Sequence, residues 1–288
     1  MPTASRSPDR IDGDTLLFAT LGDPVSQARL PAVMGPVFAH LGLNAVWVPM
    51  HTPEGGLVAV LGALRSVTNF RGVTVTIPHK PTVTGMVDRV SPRAEAAGTA
   101  NLIRRDPDGA LLADMVDGAG FVRGLERKGL PVRGATAWVV GGGGAGAAIV
   151  AALSAGGADR IWLTEADPAR ARALAGRVRR HYPATPVEVV GRHPPARPDL
   201  AVNATPCGLR PDDPLPFNPA ELADDVVVCD IIMKPKETAL LRAARERGMS
   251  VHHGHHMLDT QVPMYLEFFG IDVPNADEIV GLASQASD

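Results

Sequence analysis

The sequence predicts an α/β protein built as two domains. Short runs rich in β-branched and aromatic residues alternate with longer stretches of Ala, Leu and Arg, the signature of strand–helix units. At 288 residues the chain exceeds one ordinary domain and suffices for two cores. One strand-like run near the middle passes straight into four glycines and an Ala-rich stretch, a strand–turn–helix around which a second set of elements can be built.

Taken in order, the β-rich runs place strands at Leu16–Leu21, Ala45–Met50 and Gly72–Thr76, then at Thr136–Val140, Arg160–Thr164, Leu200–Val202 and Val226–Asp230. Good helix formers fill Val58–Arg65, Ala145–Leu153 and Arg170–Arg180. Two segments, His193–Pro198 with three prolines and Pro206–Pro219 with five, read as surface loops.

Composition narrows the function class. Net charge is -3 and no basic block stands out, so neither nucleic acid nor an anionic membrane surface is expected as a partner. No apolar run approaches membrane-spanning length. The two cysteines, Cys207 and Cys229, make no disulfide framework and suit a reducing compartment. Met1–Asp14 is polar, lacks the apolar core of a signal peptide and reads as a loose tail, so the expected location is cytoplasmic.

The strongest local signal runs from Trp138 to Ala147. Gly141, Gly143 and Gly146 fit G-x-G-x-x-G, with Gly144 and Ala145 counted among the cofactor-binding residues of the turn. Glycines let a pyrophosphate approach the backbone at a helix N-terminus, where N–H groups and the helix dipole attract anions. The bland alternative is a tight turn with no ligand; the strand-to-helix context favours a Rossmann-type, doubly wound nucleotide-binding domain. The fingerprint also wants an acid ending the next strand, and Glu165 follows Ile161–Thr164. A carboxylate there would bond the ribose 2′-hydroxyl and repel a 2′-phosphate. No arginine follows immediately, Arg170 coming five residues later, so NAD is preferred and NADP left open. Asp167 is a second candidate for that acid, and Glu165 would otherwise simply end a strand in solvent.

Three further segments carry polar groups in unusual places. Gly72–Lys80 ends a β-branched run in a turn bearing Lys80. Gly98–Asn101 sets an amide beside an apolar run. Ala113–Gly118 puts Asp117 at the start of a helix. Each alone reads as a surface lysine, a strand-end Asn or a helix cap.

Together they resemble the shikimate dehydrogenase family, which includes quinate dehydrogenases, in order along nearly the whole chain. The family's G-x-P is Gly22-Asp23-Pro24, its V-T-x-P-x-K is Val75 to Lys80, and its G-A-V-N is Gly98-Thr99-Ala100-Asn101. Its D-x-x-D-G-x-G runs from Asp114 to Gly120, and its N-A-T-x-x-G from Asn203 to Gly208. The C-terminal G-x-x-M-L-x-x-Q falls on Gly254, Met257, Leu258 and Gln261. The resemblance implies a Lys80–Asp117 catalytic pair that holds the reacting hydroxyl and moves its proton, with hydride passing to nicotinamide in a cleft between domains. It implies that Thr76, Asn101 and Gln261 bond the remaining hydroxyls of a cyclic polyol. It implies that Asn203, Thr205, Met233, Gly254 and Met257 lie along the cofactor. The domains would be 1–117 with 254–288 for substrate and 118–253 for NAD(P), in a monomer or homodimer.

The departures from the family are selective. Its substrate carboxylate is held by two serines of H-S-x-S-P and a tyrosine of D-x-x-Y. Here Ala28 and Leu30 replace the serines and Met233 the tyrosine. Thr74 replaces an Asn, and Met115-Val116 an Asn-Thr. Each lost bond to a charged group is worth roughly 1.5–3 kcal/mol, so shikimate should bind weakly unless Gln27 or Arg29 takes over. The expected substrate is a shikimate- or quinate-like ring alcohol with altered carboxylate recognition. The rivals are an ordinary NADP-dependent shikimate dehydrogenase and a non-catalytic NAD(H) sensor on the same fold. Against the sensor stands the retention of Lys80, Asp117, Asn101 and Gln261 as a set.

Four histidines between His252 and His256 invite a metal reading, but their spacing and the lack of a completing shell beyond Asp259 argue against it, and no metal is expected. His255 and His256 instead begin the last helix near the substrate cleft, where either could help hold the altered substrate. Cys207 lacks a base partner for thiol catalysis. Tyr265, Phe268 and Phe269 sit at helical spacing and read as core.

Overall fold

The computed structural model describes residues 11–26 and 28–286, so the first part of the expected tail and the candidate Gln27 lie outside the described residues. Two compact units emerge. The first gathers the stretch ending at Ser91, Thr99–Asp114 and the stretch beginning at Val262; the second gathers Pro92–Gly98 and Met115–Gln261.

The first unit holds β1 (Leu16–Gly22), α1 (Leu30–His40), β2 (Ala45–His51), α2 (Leu57–Arg65), β3 (Phe70–Val75) and β4 (Arg89–Val90). The chain then leaves for α3 (Pro92–Ala97) and returns as β5 (Leu102–Arg105) and β6 (Leu111–Asp114). The sheet order is β2-β1-β3-β5-β6-β4. β1 pairs parallel with β2 and β3, while β5 runs antiparallel to both β3 and β6. Phe18, Phe38, Trp47 and Phe269 form its aromatic core, with Phe18 5.3 Å from Trp47 and 5.2 Å from Phe269 between ring centroids. β3 runs unbroken through Gly72, where a Cβ would lie 2.2 Å from the Phe269 ring.

The second unit holds α4 (Asp117–Arg127), β7 (Thr136–Val140), α5 (Gly144–Ala155), β8 (Arg160–Thr164), α6 (Pro168–His181), β9 (Val187–Val189), β10 (Leu200–Asn203), β11 (Val227–Asp230), α7 (Ala239–Glu246) and β12 (Val251–His252). α8 (His255–Phe268) starts here and crosses into the first unit, where α9 (Ala276–Ala286) packs on α1. The second sheet is parallel throughout in the order β12-β11-β10-β7-β8-β9. That order reverses between β7 and β10, the doubly wound arrangement whose switch point receives ligands at the strands' carboxyl ends. α5 is apolar on every side because it is buried on nearly every side. α6 begins with Asp167 accepting the Ala169 and Arg170 amides at 2.9 and 3.2 Å, and ends in Arg179, Arg180 and His181, which favour a helix C-terminus.

The expected breaks at residues 117 and 254 differ from the unit boundaries, for a packing reason. α3 lies on α5 and α6, and Arg177 of α6 donates to the Ala97 carbonyl at 3.0 Å, so residues 92–98 belong to the second unit. The first half of α8 packs on α4, where the Thr260 hydroxyl donates to the Gly120 carbonyl at 2.7 Å.

Candidate functional site

In the first unit, backbone bonds lace three turns together at the carboxyl ends of β1, β2 and β3. The Thr76 amide donates to Leu21 and the Asp23 amide to Ile77, at 2.9 and 3.0 Å. The Thr52 amide donates to Gly22 at 3.0 Å, and the buried His79 ring meets the Thr52 carbonyl at 2.6 Å. The Asp23–Pro24 and Ile77–Pro78 peptide bonds are cis. The Ala100 amide donates to the Lys80 carbonyl at 3.0 Å and Val75 to Asn101 at 2.7 Å. Thr76, Lys80 and Asn101 are thus held on one sheet end, Asn101 buried and the other two half-buried. Arg29 is half-buried just before α1, Ala28 is half-buried and Leu30 buried.

Thr74 is not offered to a ligand. Its hydroxyl lies 2.8 Å from that of Thr20, which also accepts from Trp47 Nε1 at 2.9 Å. This closed, buried chain was not legible in the sequence, since its members are 27 and 54 residues apart.

In the second unit, Asp117 opens α4 from inside its first turn; Val116 holds the cap position and gives no side-chain cap. Gln261 Nε2 donates to Asp117 Oδ1 at 3.3 Å, both side chains being buried, so two of the expected site residues meet directly. Gly120 lets Gln261 in: a Cβ at 120 would lie 2.4 Å from its Cγ.

The glycine turn is built for close backbone approach. Gly141 has φ +105°, and a Cβ there would lie 2.7 Å from the Ala204 carbonyl oxygen. A Cβ on Gly146 would lie 2.0 Å from the Gly141 carbonyl oxygen. Gly143, by contrast, faces open space with nothing within 4 Å, directly before Gly144 and Ala145 open α5. A crowded turn with one open face and helix-terminal amides behind it fits a pyrophosphate.

Glu165 reaches back into that turn. It accepts the Gly142 amide at 2.7 Å and the Asp167 amide at 3.0 Å, with Arg170 3.5 Å away. Asp167 is taken up as the cap of α6, where the Arg170 and Ala169 amides hold its carboxyl below the usual range. Glu165 is therefore the acid at the end of β8 that faces the glycines.

Asn203 is fully buried and uses all its bonding capacity within the protein. Its amide donates to the Cys207 carbonyl and to Asp230, and its oxygen accepts from the Thr205 amide and hydroxyl at 3.0 and 2.7 Å. Thr205 Oγ1 in turn accepts the Cys207 amide at 3.1 Å. Gly254 is a packing glycine, because a Cβ would lie 2.5 Å from the Ile231 carbonyl. Met257 is buried and Met233 half-buried.

His252 is buried against the edge of Phe121, and neither ring nitrogen has a hydrogen-bond partner among the described residues. Burial holds its pKa down at about 4, and that of His256 at about 3. Among the described residues no group of three or more His, Cys, Asp or Glu is placed to hold a metal ion. No helix among them is long and apolar enough to cross a membrane. Both cysteines are free, and burial pushes the Cys229 thiol up. Tyr265 and Phe269 are buried, while Phe268 carries the Arg104 guanidinium 5.3 Å from its ring centre.

Residues 20–103 match the shikimate dehydrogenase substrate binding domain. A shikimate dehydrogenase (NADP(+)) of Rubrobacter xylanophilus is 39% identical over 257 residues, spanning 86% of this chain and 88% of that protein. Among solved structures, shikimate 5-dehydrogenase from Thermus thermophilus in complex with NADP(H) and shikimate has a TM-score of 0.83 at 30% identity. It covers 94% of this chain and 99% of that one. Quinate dehydrogenase from Corynebacterium glutamicum in complex with NAD has a TM-score of 0.84 at 27% identity, again covering 94% and 99%.

Proposed function

Because the chain belongs to the shikimate dehydrogenase family, NAD(P)-dependent oxidoreductases acting on a CH–OH group, we propose that it oxidises a ring secondary alcohol whose carboxylate end is recognised differently from that of shikimate. In this reading Lys80 and Asp117 hold the reacting hydroxyl and take its proton, and Gln261, bonded to Asp117, orients that carboxylate. Thr76 and Asn101 hold neighbouring hydroxyls. A bound nicotinamide nucleotide supplies the hydride acceptor. Gly141–Gly146 would hold its pyrophosphate, and Glu165 its ribose. Met233, Gly254 and Met257 would line the rest of the nucleotide.

The observation that carries the altered specificity is the loss of donors where the family places them. Ala28 and Leu30 bear no hydroxyl, Met233 none either, and the Thr74 hydroxyl is turned to Thr20. A second reading, an ordinary NADP-dependent shikimate dehydrogenase, is favoured by the names of the relatives and by Arg29, whose guanidinium suits a carboxylate. For the nucleotide we favour NAD, since Glu165 stands bonded to Gly142 where a 2′-phosphate would meet its charge. A cytoplasmic setting with reduced thiols accords with two free cysteines.

The test is initial-rate reduction of NAD and NADP with shikimate, quinate and cyclic polyols lacking a carboxylate. Weak shikimate turnover beside a better non-carboxylate substrate supports the retuned pocket; efficient shikimate or quinate turnover gives the second reading. In either case Lys80→Ala should lower kcat by about 10²–10⁴-fold while leaving nucleotide affinity unchanged. A chain that binds nucleotide but turns over nothing in the panel would point to the sensor.

A further inference from the structure

Asp230 is a buried carboxyl that the reaction itself does not use. It ends β11 at 0% exposure, paired in register with Asn203, the last residue of β10. Its Oδ1 accepts from Asn203 Nδ2 at 3.1 Å and from the Ile232 amide at 3.0 Å. Its Oδ2 accepts from the Thr238 hydroxyl at 2.8 Å, and that hydroxyl also accepts the Leu241 amide to cap α7. A carboxyl withdrawn from water is tolerated only where donors replace the solvent. Burial pushes its pKa up, and the three donors work against that.

The bonds reach the turn after β10, which packs on the glycine loop, and the segment after β11. An amide has an oxygen end and a nitrogen end, and the carboxylate at 230 decides which way the Asn203 amide faces. With nitrogen toward Asp230, the Asn203 oxygen is left to receive both donors of Thr205. The Asn203–Cys207 turn so formed presses Ala204 against Gly141 and Gly146, at 2.7 and 3.2 Å from where their Cβ atoms would stand. On the other side, a Cβ at Gly208 would lie 3.2 Å from Ile232 Cδ1, and one at Gly254 would lie 2.5 Å from the Ile231 carbonyl.

We propose that Asp230 is a positioning residue for the dinucleotide, acting through the Asn203 amide to hold the 204–208 turn against the glycine loop. It touches no ligand itself. The proposal rests on the reading of Gly141–Gly146 as the nucleotide site.

The experiment is calorimetric titration of the full-length protein with NADH and NADPH, with the melting temperature recorded for each variant. In Asp230→Ala the dissociation constant of the preferred nucleotide should rise at least about tenfold, the size of one lost, well-oriented polar contact. Asp230→Asn keeps an acceptor oxygen toward Asn203 and should stay within about threefold of wild type. Asn203→Ala cuts the same route, so Asp230→Ala with Asn203→Ala should bind no worse than the weaker single variant. Unchanged affinity in Asp230→Ala, with only a lower melting temperature, would overturn the proposal and leave Asp230 as core. Should that variant fail to fold, unchanged affinity in Asn203→Ala overturns it equally, as do additive losses in the double variant. Failure of the wild type to bind either nucleotide would instead remove the nucleotide site on which the proposal stands.

Discussion

Glu165 engages both carboxylate oxygens, one on the Gly142 amide and one on the Asp167 amide, with the side chain 8% exposed. In the proposed nucleotide site this carboxylate would oppose a 2′-phosphate. Glu165→Ser should shift the ratio of kcat/KM for NADP over NAD upward by about 10–100-fold, in line with roughly 1.5–3 kcal/mol per charged contact. An unchanged ratio would remove Glu165 from cofactor choice. Glu165 was legible because the fingerprint fixes its distance from the glycines. Asp167, its rival in the sequence, accepts the α6 amides as a helix cap. The Thr74–Thr20–Trp47 chain and the Asn203–Asp230 bond were illegible for the opposite reason. They join distant segments through side chains whose types are common everywhere.

At the level of elements, helices α4 and α5 meet where Gly118 faces Ala148. A Cβ on Gly118 would lie 1.9 Å from the Ala148 carbonyl oxygen. No rotamer relieves a backbone clash, so Gly118→Ala must push the helices apart and with them Asp117. The expected loss is about 1–3 kcal/mol, or roughly 3–10 °C in melting temperature; a variant melting with wild type would mean that the crossing yields freely. The longer parallel strands β1, β2, β3, β7, β8, β10 and β11 were legible from their apolar runs, whereas β4, β9 and β12, two or three residues each, are too short to carry a pattern. The β5–β6 hairpin was not legible either, because its strands have only four residues each, too few to establish an alternating pattern. Its signal was present in Asp106-Pro107-Asp108-Gly109, a turn closed by Gly109 at φ +87° and by the Asp106 amide donating to Ala110 at 2.9 Å.

Across the whole molecule, the buried imidazoles tie stability to pH. His252 titrates at about 4 when folded, against 6.5 in the unfolded chain. Its surroundings explain the direction: Phe121 and Gly124 on one side, His256 on another, and Lys128, His253 and His255 as the nearby charged or chargeable groups. Well above pH 6.5 the ring is neutral in both states and pH has no effect through it. As pH falls from 6.5 toward 4, the unfolded chain takes up the proton and the folded one does not, so stability declines. At pH 5 this amounts to roughly 2 kcal/mol from His252 alone. Urea unfolding at pH 7 and pH 5 should show that His252→Leu loses less stability across the interval than wild type by about this amount; parallel losses would deny the ring that role.

The division of the chain also dictates an order of assembly. The second unit is closed once Gln261 has been made, whereas the first waits for the ring of Phe269 over Gly72 and for α9 against α1. A chain growing from its N-terminus on the ribosome therefore presents β1, β2 and β3 with part of their apolar face unclosed while the later unit is being completed. What is synthesised first is completed last, and a molecule truncated even a few residues before Phe269 would carry a finished nucleotide fold on a substrate fold that cannot shut its core.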